Sequence, residues 1–138
     1  MNLYKSKLLS LPGSSLSEVI ALARHEYHVI QKRTPRRVPY VRSRYFTKDN
    51  IFINTFWEHT NKKSPQERVR RLKLYTCAID LLRNTTIPPN TIHTNTDKNT
   101  SYHQFYGITG DGVAFCVRVN ENKRNGRKDF TSVYPIYK

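Results

Sequence analysis

His59 lies in the run Phe56-Trp57-Glu58-His59-Thr60-Asn61-Lys62-Lys63-Ser64-Pro65-Gln66-Glu67-Arg68-Val69-Arg70-Arg71, an imidazole followed closely by Lys and Arg side chains. Together these residue types can cleave RNA without a metal. The 2′-hydroxyl loses a proton and attacks the neighbouring phosphorus, the 5′-oxygen leaves with a proton, and cations hold the charge of the phosphorane-like transition state. His59 is the natural acid/base here, because histidine is the side chain type that titrates near neutrality unaided. Lys62, Lys63, Arg68 and Arg71 are the matching phosphate clamps. The same residues also have a use without chemistry, with His59 packed beside Trp57 and the cations solvated. Metal-dependent cleavage needs carboxylates converging on the ion, and the 10 acidic residues are scattered. The five glycines fall in turns and form no phosphate-cradling loop. No metal and no cofactor are expected.

Local signals place this run at a strand–loop–helix junction. Ile51 to Trp57 is an apolar run that reads as a strand. Ser64 is suited to cap a helix, Pro65 to open it, and Glu67 completes a capping box. On this reading His59, Lys62 and Lys63 occupy a short loop before a helix N-terminus, whose free N–H groups and positive dipole end favour a phosphate.

The chain as a whole suits a polyanion. Its 138 residues fit a single domain, and 24 Lys and Arg against 10 Asp and Glu give a formal charge of +14. RNA is the expected partner, and a basic surface kept for solubility is the alternative use of the charge. Hydrophobic residues make up 37%, but nine Tyr, six Phe and one Trp supply core material. Cys77 and Cys116 have no metal-binding spacing and read as buried thiols, with a pairing between them left open. No apolar run approaches a membrane span, and the first eleven residues are too polar for a signal peptide, so the cytoplasm is the expected location.

The remaining elements follow in order. Residues 1–13 read as a poorly ordered lead. A first helix opens at Ser15, capped with Glu18, and carries Val19, Ile20, Ala23, Tyr27 and Ile30 on one stripe. A basic, aromatic segment follows, in which Arg42 and Arg44 beside Tyr40, Tyr45 and Phe46 suit phosphate contacts and base stacking, or else a strapped linker. After the strand at Ile51 comes a helix from Pro65 to about Arg83, then an exposed loop from Asn84 to Ser101. Three strands close the chain: Tyr102 to Ile108, Val113 to Asn120 with Val113, Phe115, Val117 and Val119 on the apolar face, and Phe130 to Ile136. The expected fold is α+β: an N-terminal helix, then a strand–helix–three-strand antiparallel meander, with helices packed on one face of a four-stranded sheet.

Trp57-Glu58-His59, the cations Arg68 to Arg71, and Lys128-Asp129-Phe130-Thr131-Ser132-Val133-Tyr134-Pro135 form a pattern that resembles the BECR ribonuclease superfamily. That superfamily groups barnase, EndoU, colicin ribonucleases and RelE toxins, and the likeness is to its phage-associated and polymorphic-toxin branch, over about residues 36–137. The resemblance implies a small endoribonuclease of toxin type that needs no metal. His59 would be its general acid/base, with Lys62 or Lys63 and Arg68 on phosphate and Ser132 or Thr131 contacting it from the last strand. Lys128, Arg42, Arg44 and Arg71 would add nucleic-acid contacts. The second proton carrier is open between Tyr134 and His103, each of which also reads as a half-buried strand residue. An acidic antitoxin or immunity protein would be the protein partner. The alternative function is a non-catalytic RNA- or DNA-binding module built on the same basic surface.

Overall fold

The computed structural model describes residues 2–34, 36, 38–93 and 99–136, with His93 known by its backbone alone. In chain order the elements are β1 (Tyr4–Lys5), α1 (Leu16–Arg33), β2 (Tyr40–Ser43), β3 (Asp49–Phe52), α2 (Thr55–Thr60), α3 (Pro65–Leu72), α4 (Tyr75–Asn84), β4 (Asn90–His93), β5 (Thr100–Ile108), β6 (Ala114–Asn122) and β7 (Lys128–Pro135). Both helices start where their spacing predicts, with the Ser half of each capping box formed, while the Glu18 carboxylate accepts from the Ser15 hydroxyl and that of Glu67 from Arg70 and Arg71. Ser15 Oγ accepts the Glu18 N–H and Ser64 Oγ that of Glu67, each at 3.3 Å, and Pro65 sits at the start of α3.

The class is α+β, but the four-stranded sheet is overturned. Seven described strands form one mixed sheet in the order β1-β5-β6-β7-β3-β2, with β4 on the same side of β5 as β1. The antiparallel meander β5–β6–β7 is present, while β1 joins β5 and β3 joins β7 in parallel. The extra strands come from segments that read as lead, linker and loop. The lead pairs Tyr4 with Gly107, and Tyr4 and Ser6 both donate to Asp80 Oδ2, at 2.9 and 2.8 Å. The basic segment forms β2, burying Val41 and Ser43 and exposing Arg42. Asn90–His93 pairs with β5 as β4.

One strand reading and one helix reading also change. The apolar run at Ile51 is a strand only to Phe52. From Thr55 it winds into α2, because Phe56, Trp57 and Thr60 can then bury together on one side of a helical turn. The helix read as running from Pro65 to Arg83 breaks at Lys73–Leu74. Leu72, Leu74, Tyr75, Cys77, Ala78 and Ile79 are all buried, which is more than one face of a straight helix can present to a core. The Lys73 carbonyl freed by the break accepts the Leu11 N–H at 2.8 Å.

One apolar cluster joins the helices to one face of the sheet, with Phe115, Val117 and Val119 of β6 fully buried in it. Val113, expected on that face, precedes the strand and is exposed. Gly107 is the point of closest approach: a Cβ there would come within 2.8 Å of Phe115 Cζ and 2.9 Å of Leu81 Cδ1. Cys77 and Cys116 are buried and unpaired, and burial pushes both thiols up from their ordinary range.

At one end of the core face Lys128 is buried. Its Nζ donates to Asp49 Oδ2 at 2.6 Å and to the Gly126 carbonyl at 3.1 Å, lies 3.8 Å from Glu121 Oε2, and sits 4.9 Å from the Phe46 ring centroid. The Lys128 hydrogen bond holds the Asp49 carboxyl below its ordinary value. A depressed folded-state value adds stability above the unfolded carboxylate pKa, about 3.9, and that stability is lost as pH falls through the folded value. Lys128→Met is therefore expected to melt below wild type at neutral pH, with the gap narrowing as pH is taken through the carboxylate range. Thermal melts across that range check this, and a gap that widens toward acid contradicts it.

Candidate functional site

The face of the sheet opposite the core is set by strand alternation. It carries Tyr102, Gln104 and Tyr106 from β5, Cys116, Arg118 and Asn120 from β6, and Asp129, Ser132 and Tyr134 from β7. An irregularity sharpens it. Arg118 pairs with Ser132 but Val119 with Phe130, so Thr131 is an extra residue in β7. This bulge turns two successive hydroxyl side chains, Thr131 and Ser132, toward the same side while Phe130 and Val133 stay buried. Thr131 Oγ1 closes the bulge by donating to the Arg118 carbonyl at 3.2 Å.

α2 and α3 pack along β7 and bring their own residues to this side. The result is a cavity of about 350 Å³ lined by His59, Thr60, Lys63, Arg71, Tyr102, Arg118, Asn120, Thr131, Ser132 and Tyr134. Among the described residues its cations are Lys63, Arg71 and Arg118, and no carboxylate lines it. Arg71 is held by Glu67, Nε to Oε1 at 2.8 Å, with its guanidinium 5.6 Å from the Tyr134 ring centroid. Arg118 lies 3.9 Å from the centroid of Tyr102, and its buried Nε has no hydrogen-bond partner among the described residues. Burial pushes the Tyr134 hydroxyl up to about 12, with the Cys116 thiol acting in the same direction. Tyr134 is therefore a proton donor across the neutral range and not a base.

Of the residues singled out from the sequence, His59, Lys63, Arg71, Thr131, Ser132 and Tyr134 meet in this cavity. His59 stands on the last turn of α2, not in a loop, and is exposed. It does not share the packing of Trp57, which is buried against Tyr27, Phe56 and Tyr75 with Arg24 4.6 Å above its ring. Arg68 does not line the cavity; its Nη2 donates to Asn61 Oδ1 at 3.2 Å across the α2–α3 turn. Lys62 is exposed in that turn. Arg42 and Arg44 are exposed on β2 and the turn beyond it, at the far edge of the sheet. Lys128 is on the core face in the ion pairs described above.

His103 is also on the core face. Its Nδ1 meets Thr91 Oγ1 at 2.9 Å and its Nε2 meets Glu121 Oε1 at 2.7 Å, so both ring nitrogens are engaged away from the cavity. Thr60, Tyr102, Arg118 and Asn120 were not among the residues expected in a site. The signal for Arg118 was available, since strand alternation puts it on the polar face of β6, away from the apolar face.

Comparison with known protein families, with curated proteins and with solved structures gives no match to this chain. Among the described residues no three or more His, Cys, Asp or Glu side chains converge as metal ligands, and no helix is long and apolar enough to cross a membrane.

Proposed function

We propose that the protein is a small basic endoribonuclease of toxin type, acting in the cytoplasm, that cleaves RNA without a metal. The observation that carries this reading is the cavity lining: among the described residues, three cations and no acid around a space bordered by one histidine, hydroxyl side chains and a protonated tyrosine. A buried cationic donor with no partner, as at Arg118 Nε, favours an anionic ligand. A phosphodiester fits that space. Lys63, Arg71 and Arg118 would hold its non-bridging oxygens, with Ser132 adding a neutral donor. His59 would take the proton from the 2′-hydroxyl as its oxygen attacks phosphorus. Tyr134 would give its proton to the departing 5′-oxygen, leaving a 2′,3′-cyclic phosphate and a free 5′-hydroxyl. The same charge suits an acidic antitoxin or immunity protein as a partner.

The test is to incubate the protein with total RNA in EDTA. Discrete fragments ending in cyclic phosphate are expected, because no lining residue is a carboxylate that a catalytic metal would need. RNA affinity should also fall steeply with salt, with a log–log slope of about 4 if six phosphates on a single strand are neutralised. A non-catalytic binding module is the second reading. It is favoured by His59 having no hydrogen-bond partner among the described residues to orient its ring. It expects the same salt dependence and intact RNA at every pH.

A further inference from the structure

The cavity occupies only part of the open face. In register across the sheet, Asn90, Gln104, Arg118 and Ser132 make one row, and Ile92, Tyr102, Asn120 and Asp129 make the next, with the Asp129 carboxylate paired to Arg127 at 3.3 Å. Tyr102 belongs to both surfaces: it lines the cavity and it begins the area that runs on across β5 to β4. The Arg118 guanidinium lies against its ring, and Tyr102 takes part in no ring–ring contact among the described residues. Beside it are amides: Asn90 Nδ2 reaches Gln104 Oε1 at 3.5 Å, and the Tyr106 hydroxyl donates to the same oxygen at 3.2 Å. An aromatic ring backed by a cation, with amide edges next to it and a phosphate-sized cationic space adjoining, matches the chemistry of an unpaired nucleotide.

We infer that the cavity is one end of a longer track for single-stranded RNA, in which the base next to the held phosphate stacks on Tyr102 and presents its edge to Asn120 and Gln104. The inference rests on the reading that the cavity takes a phosphodiester, and it adds what that reading leaves open, the strandedness of the substrate and where its base lies. A duplex keeps its bases stacked inside and cannot use the ring. A protein segment is a poorer occupant, since among the described residues the area beyond the cavity is mostly amide and phenol, with Ile92 its one exposed aliphatic.

The experiment uses a short fluorescent 2′-O-methyl RNA, which cannot be cleaved, as a single strand and annealed to its complement. Affinities are measured for wild type, Tyr102→Ala, Tyr102→Phe and Lys63→Ala. Wild type is expected to prefer the single strand. Tyr102→Ala should weaken single-strand binding by about ten-fold and duplex binding far less, Tyr102→Phe should restore single-strand binding, and Lys63→Ala should weaken both forms alike. A photocrosslink from 5-iodouridine in the same strand, mapped on wild-type protein, needs no variant and should fall on Tyr102. If Lys63→Ala weakens binding while Tyr102→Ala does not, or if crosslinks avoid β5, the track is overturned and the phosphodiester cavity stands. A wild type that binds neither form overturns both.

Discussion

His59→Ala is expected to lower RNA cleavage by about 10²-fold or more while leaving affinity for uncleavable RNA nearly unchanged. The side chain is exposed on the last turn of α2, so its removal opens no hole in the core and the folded state is retained. What is lost is an imidazole at the edge of the cation-lined cavity, the proton acceptor of the proposed mechanism. Arg71→Ala should behave differently. A guanidinium that holds a phosphate serves substrate and transition state alike, so both affinity and rate should fall. The pair of variants thus separates proton transfer from charge. Single-turnover cleavage and equilibrium binding on the same preparations provide the readout. A protein that cleaves as fast without the imidazole would move the base elsewhere in the cavity. A wild type that leaves RNA intact at every pH would favour the binding module.

Val117→Asp is expected to destabilise the protein by about 3 kcal/mol or more. β6 is an inner strand of the sheet, and Val117 sits between Phe105 on β5 and Val133 on β7 with no exposure to solvent. All three side chains are apolar, so a carboxylate placed there finds neither water nor a partner. Val117→Ala is the control, since it removes only packing and should lose less. Urea titration of both variants measures the difference. Wild-type stability in Val117→Asp would mean that the inward face of β6 had been assigned to the wrong residues.

The features legible in the sequence were those written in short, local chemistry. Ser15 with Glu18 and Ser64 with Pro65 and Glu67 marked helix starts, and alternation at Phe115, Val117 and Val119 marked the inward face of β6. The features that were not legible depend on tertiary context. An apolar run such as Ile51 to Trp57 satisfies strand and helix patterns alike, and the choice at Thr55 is made by where Phe56 and Trp57 can bury. The break between α3 and α4 has no Gly or Pro to announce it. β1 and β4 are two and four residues long and exist because β5 offers an edge to pair with. The site divides in the same way. His59, Lys63 and Arg71 stood out as a charged run, and Ser132 and Tyr134 through a family resemblance. Arg118, Tyr102 and Asn120 come into view only when strands far apart in the chain are set in register.

The parallel pairing of β3 with β7 also bears on time. Ile51 meets Lys128 across more than half of the chain, whereas β5, β6 and β7 follow one another through short connections. Closing the long loop carries an entropy cost that the neighbouring hairpins avoid, so the β5–β6–β7 meander is expected to form first. At that stage Tyr102, Arg118, Ser132 and Tyr134 already share a surface, but His59, Lys63 and Arg71 have not arrived, because α2 and α3 are brought in with β3. A partly folded molecule therefore holds half of a cavity and none of its imidazole. Refolding followed in parallel by fluorescence and by phosphate binding should show ligand capture lagging the first phase, with competence gained only as the last long-range contact closes.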